Sequence, residues 1–182
     1  IPEEPVVPKT ARNLALGVVL GVMLGIGLAL LRDLLDNTVK SQESLEAITG
    51  RGAVGFVPFD KKLQTDLALA FDTDNSVTAE AFRKLRTNLQ FLAVDDPPRT
   101  IVVTSASPSE GKSTTAINIA LSLAEAERKV VLIDGDLRRP RLAKALDLVG
   151  SVGFSSTLSG AAPLNEVLQS TKFPHLTFLA SG

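Results

Sequence analysis

Cysteine and tyrosine are absent from the 182 residues, and histidine occurs once. The missing cysteine excludes disulfides, thiolate catalysis and cysteine metal sites. The lone His175, in the stretch FPHLTF, has no second histidine near it and reads as a strand-edge residue rather than a metal ligand. The formal net charge of -1 provides no overall field for nucleic acid, so basic residues matter only where they cluster. With 45% apolar residues the chain can bury one ordinary core with a remainder at the front. It begins at Ile1 and stops at FLASG, straight after an expected strand, and so reads as a fragment of a longer protein.

Residues 14–31, LALGVVLGVMLGIGLALL, carry no charged or hydrogen-bonding side chain. As a helix they extend roughly 27 Å at the usual rise, close to the thickness of a hydrocarbon core. A secretory signal would have a shorter apolar run and a small-residue cleavage site, whereas RDLLDNTVK follows here directly. Gly17, Gly21 and Gly25 fall on one face and would permit close helix packing. Pro2, Pro5 and Pro8 suit an extended stalk before the span. Behind it, SQESLEAITG reads as a short helix stopped at Gly50, AVGFVPFD as a strand ended by Pro58, and residues 60–76 as a linker.

Residues 79–93 form an amphipathic helix pattern. Phe82, Leu85, Leu89 and Leu92 face a core, and Glu80, Arg83 and Arg86 form an outward stripe. From helix physics alone that stripe is a solvated face with an i,i+3 ion pair.

The β-branched run TIVVT, residues 100–104, predicts a buried strand. It leads into ASPSEGKS, which matches G-x-x-x-x-G-K-[ST] except that Ala106 replaces the first glycine, and an apolar-periodic helix follows. The expected nucleotide-binding residues are Ala106, Ser107, Pro108, Ser109, Glu110, Gly111, Lys112, Ser113 and Thr114. Backbone N–H groups of the loop would cradle ATP phosphates, Lys112 would reach the β and γ phosphates, and Ser113 would ligate Mg²⁺. A ParA- or MinD-like ATPase would carry a second lysine at position 107, where this chain has serine.

KVVLIDGD predicts a second strand with Asp134 and Asp136 at its carboxyl end, two residues apart and beside the phosphate loop. One acid, Asp136, could hold Mg²⁺ and the other could accept a proton from an incoming hydroxyl. The competing reading is that the acids cap the next helix.

Taken together these segments resemble the bacterial tyrosine kinases (BY-kinases) fused to, or paired with, chain-length-determinant proteins of polysaccharide export. ASPSEGKST resembles their Walker A loop and VVLIDGDLRRP their Walker A' segment, with Asp134, Asp136 and Arg138 on the pattern. EAFRKLRTNLQF resembles their E-x-x-R-x-x-R helix through Glu80, Arg83 and Arg86. The stalk, span and LEAITGRGAVGFVPFD resemble the last membrane helix and junction of the transmembrane activator.

The resemblance implies an α/β fold with a P-loop NTPase-type parallel sheet flanked by helices, incomplete at the C-terminus and preceded by one transmembrane helix. It implies a protein-tyrosine autokinase that uses ATP and Mg²⁺ and regulates capsular or exopolysaccharide chain length and export. Lys112, Asp134, Asp136 and Arg138 would be its catalytic residues, and Glu80, Arg83 and Arg86 its subunit contact. The implied partners are further copies in a ring-like homo-oligomer, the membrane, polysaccharide polymerase and export proteins and a cognate tyrosine phosphatase, with no nucleic acid. The expected layout is a stalk outside the bacterial inner membrane at 1–11, a span at 12–35, a juxtamembrane linker at 36–76 and the cytoplasmic kinase part at 77–182. The family's Walker B acid and tyrosine cluster have no counterpart in these residues, so the chain alone is expected to be inactive and not its own substrate. Two alternatives are a polysaccharide co-polymerase subunit whose nucleotide domain only assists assembly, and the MinD/ParA-like ATPase that Ser107 disfavours.

Overall fold

The computed structural model describes residues 10–36, 42–71, 73–92 and 98–182. The expected stalk at residues 1–9 and the helix end at residue 93 lie outside them. The chain divides into two compact units, Ile1–Gly52 and Ala53–Gly182.

The first unit holds helix α1, Thr10–Leu34, and helix α2, Gln42–Thr49. At 25 residues α1 is long and apolar enough to cross a membrane. Its leucines and valines are exposed along its whole length. A Cβ added at Gly17, Gly21 or Gly25 would meet nothing within 4 Å, so no described residue packs on that face. Helix α2 ends where expected, with the Gly50 N–H donating to the Glu46 carbonyl at 2.8 Å and Gly50 in the left-handed region.

In the second unit helix α3, Val77–Phe91, packs on helix α4, Lys112–Glu125, which in turn packs on a three-stranded sheet. The N-cap Ser76 of α3 accepts the Ala79 N–H. Phe82 and Leu85 are buried and Leu89 packs against the same core, as the periodicity requires, whereas Leu92 at the frayed end is exposed. Phe71 meets Phe82 edge to face with ring centroids 6.5 Å apart.

After α4 come strand β1, Val130–Ile133, and the short helices α5, Leu142–Leu146, α6, Phe154–Leu158, and α7, Leu164–Val167. Strands β2, Leu168–Ser170, and β3, Leu176–Leu179, complete the sheet. Its order is β1-β3-β2; β1 runs parallel to β3, with Val130 opposite Leu176, and β2 pairs antiparallel with β3. The sheet is therefore mixed, with an antiparallel edge strand on the expected parallel pair. The loop leaving β3 closes on the start of α6, where Phe154 and Ser155 donate to the carbonyls of Ala180 and Ser181. A Cβ at Gly153 would stand 2.1 Å from the Ala180 oxygen, so only glycine fits this approach.

Three expectations are corrected. Residues 100–104 form no strand, and Ile101 and Val102 are exposed: a β-branched run forms a strand only where a partner takes up its hydrogen bonds. The segment AVGFVPFD likewise forms no strand, with Gly55 pressed against Leu85. The expected linker at 60–76 belongs to the core, since Leu63, Leu69 and Phe71 are buried. It is pinned by Asn118 of α4, whose side chain accepts the Leu69 N–H at 2.9 Å and donates to the Leu67 carbonyl at 2.7 Å.

Candidate functional site

The loop of residues 105–111 turns into α4 through Gly111, which caps the helix at φ 84°. A side chain is disfavoured in that left-handed conformation. A Cβ there would meet no atom within 4 Å, so the backbone faces open space where a phosphate could approach. Ser109 is also left-handed, at φ 66°. The Ser105 hydroxyl donates to the Ser107 carbonyl at 3.0 Å, and the Ser107 N–H donates to the Glu110 carboxylate at 2.9 Å. Ala106, Ser107, Pro108, Ser109 and Glu110 are exposed, and Ser113 and Thr114 lie half-buried in the first turn of α4.

At the carboxyl end of β1 the two acids part company. Asp136 is the partner of the loop lysine: its Oδ2 lies 3.0 Å from Lys112 Nζ, while its Oδ1 accepts the Arg139 N–H at 3.0 Å. The Lys112 hydrogen bond, then that Arg139 N–H, hold its carboxyl below the usual carboxylate range. Asp134 is only 3% exposed. Its Oδ1 accepts the Asp136 N–H at 3.2 Å and its Oδ2 the N–H groups of Arg141 and Leu142 at 3.2 and 3.1 Å. In this arrangement Asp134 is a buried acceptor that fixes the turn into α5. The Arg138 side chain is exposed on the same turn.

The arginines of the α3 stripe are not free. Arg83 donates to the carbonyl of Phe71 at 2.6 Å and to that of Asp74 at 3.3 Å, and its guanidinium reaches Glu125 at 3.3 Å. Arg86 donates to the Ser122 carbonyl at 2.7 Å and to Glu125 at 3.1 Å. Glu80 remains more than half exposed, 3.8 Å from Arg83. The expectation of a free outward stripe is thus corrected for both arginines, because a carboxylate at the end of α4 and the backbone carbonyls of Phe71, Asp74 and Ser122 satisfy them inside the chain.

Sequence reasoning missed Glu125 and Asn118. A polar residue inside an apolar-periodic helix, as Asn118 is, was the available signal; nothing in AEAERK distinguishes Glu125 as the shared acceptor.

The donor set fits a nucleotide triphosphate: a glycine-capped helix start, a lysine beside it and an acid at the neighbouring strand end. Among the described residues no group of three or more His, Asp or Glu could hold a metal.

Residues 101–167 match the CobQ/CobB/MinD/ParA nucleotide binding domain (CbiA) family model. Tyrosine-protein kinase YwqD of Bacillus subtilis is 40% identical over 114 residues, 63% of this chain and 48% of that protein. Tyrosine-protein kinase ptk of Acinetobacter johnsonii is 30% identical over 191 residues, all of this chain and 26% of that protein. The chain's homologues are bacterial tyrosine kinases. In structure it resembles the kinase domain of Escherichia coli tyrosine kinase ETK, with TM-score 0.72 and 27% identity over 80% of this chain and 60% of that one. The fold is therefore that of the P-loop NTPases as bacterial tyrosine kinases use it. The chain spans about half or less of the curated relatives, 48% of one and 26% of the other.

Proposed function

We propose that this chain is the membrane helix and the ATP-binding front part of a protein-tyrosine kinase, in a protein that regulates capsular or exopolysaccharide chain length and export. The observation that carries the proposal is the 3.0 Å contact between Lys112 of the phosphate loop and Asp136 of the neighbouring strand end, within a fold shared with tyrosine kinase domains. The loop of residues 106–114 would surround the ATP phosphates. Ser113 and Asp136 would hold Mg²⁺, which when bound supplies positive charge to the phosphates. Lys112 and the exposed Arg138 would steady the transferring group. Catalysis of this kind consists mainly of positioning and electrostatics, so a buried Asp134 contributes by holding the turn that carries Asp136 and Arg138.

We further propose a stalk at 1–11 outside the bacterial inner membrane, a span at 12–35, a junction from 36 to about residue 52 and a cytoplasmic nucleotide-binding part from Ala53 to Gly182. The last boundary follows the compact unit rather than the start of α3. Contact with further copies in a ring would run through the exposed Glu80, with Arg83 and Arg86 holding α3 to α4 behind it. Polymerase and export proteins and a tyrosine phosphatase are the proposed partners beyond the membrane and the ring.

The test is ATP-dependent tyrosine phosphorylation by the full-length protein in membranes, with Lys112→Met as the control. Phosphotyrosine that depends on Lys112 supports the proposal. ATP binding without phosphotyrosine would favour a nucleotide-binding assembly module instead.

A further inference from the structure

Glu110 was expected to help hold the nucleotide as one residue of the phosphate loop. Its geometry points the other way. The Glu110 carboxylate accepts the Ser107 N–H at 2.9 Å, a backbone donor of the same loop that would bind phosphate oxygens. A second carboxylate, Asp136, stands on the other principal donor, Lys112 Nζ, at 3.0 Å. A phosphate oxygen and a carboxylate oxygen are both anionic acceptors of similar reach, so each of these hydrogens can serve one or the other. The two acids differ in what they gain on release. Asp136 has the Arg139 N–H and a prospective metal to turn to, whereas Glu110 is exposed and is released only to water.

We infer that Glu110 is a built-in competitor of the nucleotide phosphate: its carboxylate occupies the Ser107 amide, and binding must displace it. Glu110 therefore sets the affinity of the loop by lowering it, which speeds release of the spent nucleotide. Such a contact acts through one hydrogen bond, not through the charge of the residue at a distance, and this separates it from simple repulsion between Glu110 and phosphate. The inference rests on the nucleotide-binding reading proposed above.

The experiment is calorimetric titration of ADP, which undergoes no transfer, into the full-length protein in detergent. The wild type is compared with Glu110→Gln and Glu110→Asp. Thermal unfolding without ADP checks that each variant is folded. Both variants are expected to bind ADP more tightly, by roughly tenfold, the worth of a hydrogen bond to a charged group. Glu110→Asp is the deciding variant, because it keeps the charge and withdraws it from the amide by one methylene. Tighter binding in Glu110→Gln with wild-type binding in Glu110→Asp would overturn the contact in favour of a field effect. Unchanged or weaker binding in Glu110→Gln would overturn it outright and show that Glu110 supports the bound loop. Wild-type protein that does not bind ADP would overturn the nucleotide reading and this inference with it, an outcome told apart by the wild-type titration itself.

Discussion

The loop of residues 105–111 and the loop that follows β1 are built from similar materials, and the structure treats them differently. Each follows a β-branched apolar run, and each has a carboxylate that accepts its own backbone N–H groups. In the second loop the run is a strand paired with β3, and the acceptor, Asp134, is buried and takes three N–H groups. In the first the run is unpaired, Val102 is 84% exposed, and the acceptor, Glu110, is exposed and takes one. Burial turns the same contact from an exchangeable one into a fixed one, because a buried carboxylate that loses its partners cannot recover them from water. The second loop is thus framework and the first is the part that can rearrange around a ligand, which is the low-stability role that binding loops commonly play.

The contrast predicts which substitution harms binding and which harms folding. The largest effect is expected for Lys112→Met in the full-length protein. Losing the ammonium that meets the phosphates should weaken nucleotide binding by about 100-fold or more, the equivalent of a strong charge-assisted hydrogen bond, with little change in thermal stability. Titration of nucleotide beside a melting curve on the same sample decides this, and a folded variant with wild-type affinity would remove the first loop from the binding site.

Asp134→Asn should do the reverse. Its amide oxygen can replace only one of the two carboxylate oxygens, and the amide nitrogen would face at least one buried or half-buried N–H that it cannot accept, at a cost of about 1–3 kcal/mol of stability. Nucleotide affinity of the folded fraction should change far less. Denaturant unfolding of the wild type and the variant measures the first, and a stability loss confined to Asp136→Asn instead would invert the assignment of framework and site.

Much of this was legible in the sequence, and what was not has a common cause. The turn into α4, the core face of α3, the stop at Gly50 and the strand before Asp134 depend on local chemistry: glycine conformation, side-chain period and β-branched runs. The missing sheet pairing of residues 100–104, the burial of 60–76 and the fate of Arg83 and Arg86 depend on partners far along the chain. Leu69 is anchored by Asn118, 49 residues away, and Arg83 by Glu125, 42 residues away. Neither distance leaves a periodic trace. Asp134 shows the limit most clearly, since DGDLRRPRL gives no sign that its carboxylate takes the Arg141 and Leu142 amides seven and eight residues on.

A smaller effect is expected at the α3–α4 junction, where Glu125 lies at the surface with its carboxylate held between Arg83 and Arg86. Glu125→Gln removes one partner from each of two arginines, but Arg83 keeps the Phe71 carbonyl and Arg86 the Ser122 carbonyl. Ion pairs at this degree of exposure contribute at most about 1 kcal/mol each, so the variant should stay folded with a small loss of stability that shrinks further in high salt. A loss as large as that of Asp134→Asn would show that the junction belongs to the framework.

The smallest effect should come from Asp74, a carboxylate that holds a helix start from outside the core. It accepts the Ser76 N–H at 2.8 Å, and Ser76 in turn caps α3. That N–H, followed by the Ser76 hydroxyl, lowers the Asp74 pKa from its ordinary value of 3.8. A carboxyl whose pKa is lower in the folded than in the unfolded state stabilises the fold above the ordinary value, and this contribution disappears as pH falls through the lowered one. The start of α3 should therefore loosen below about pH 4 rather than at neutral pH. The measurement is unfolding of the wild type and of Asp74→Asn at neutral pH and at about pH 3, where other carboxyls also titrate and cancel in the difference between the two proteins. The gap between them should narrow as the pH is lowered. A gap that is constant or widens would show that Asp74 acts through shape alone, and would leave the buried Asp134 as the carboxylate on which the fold depends.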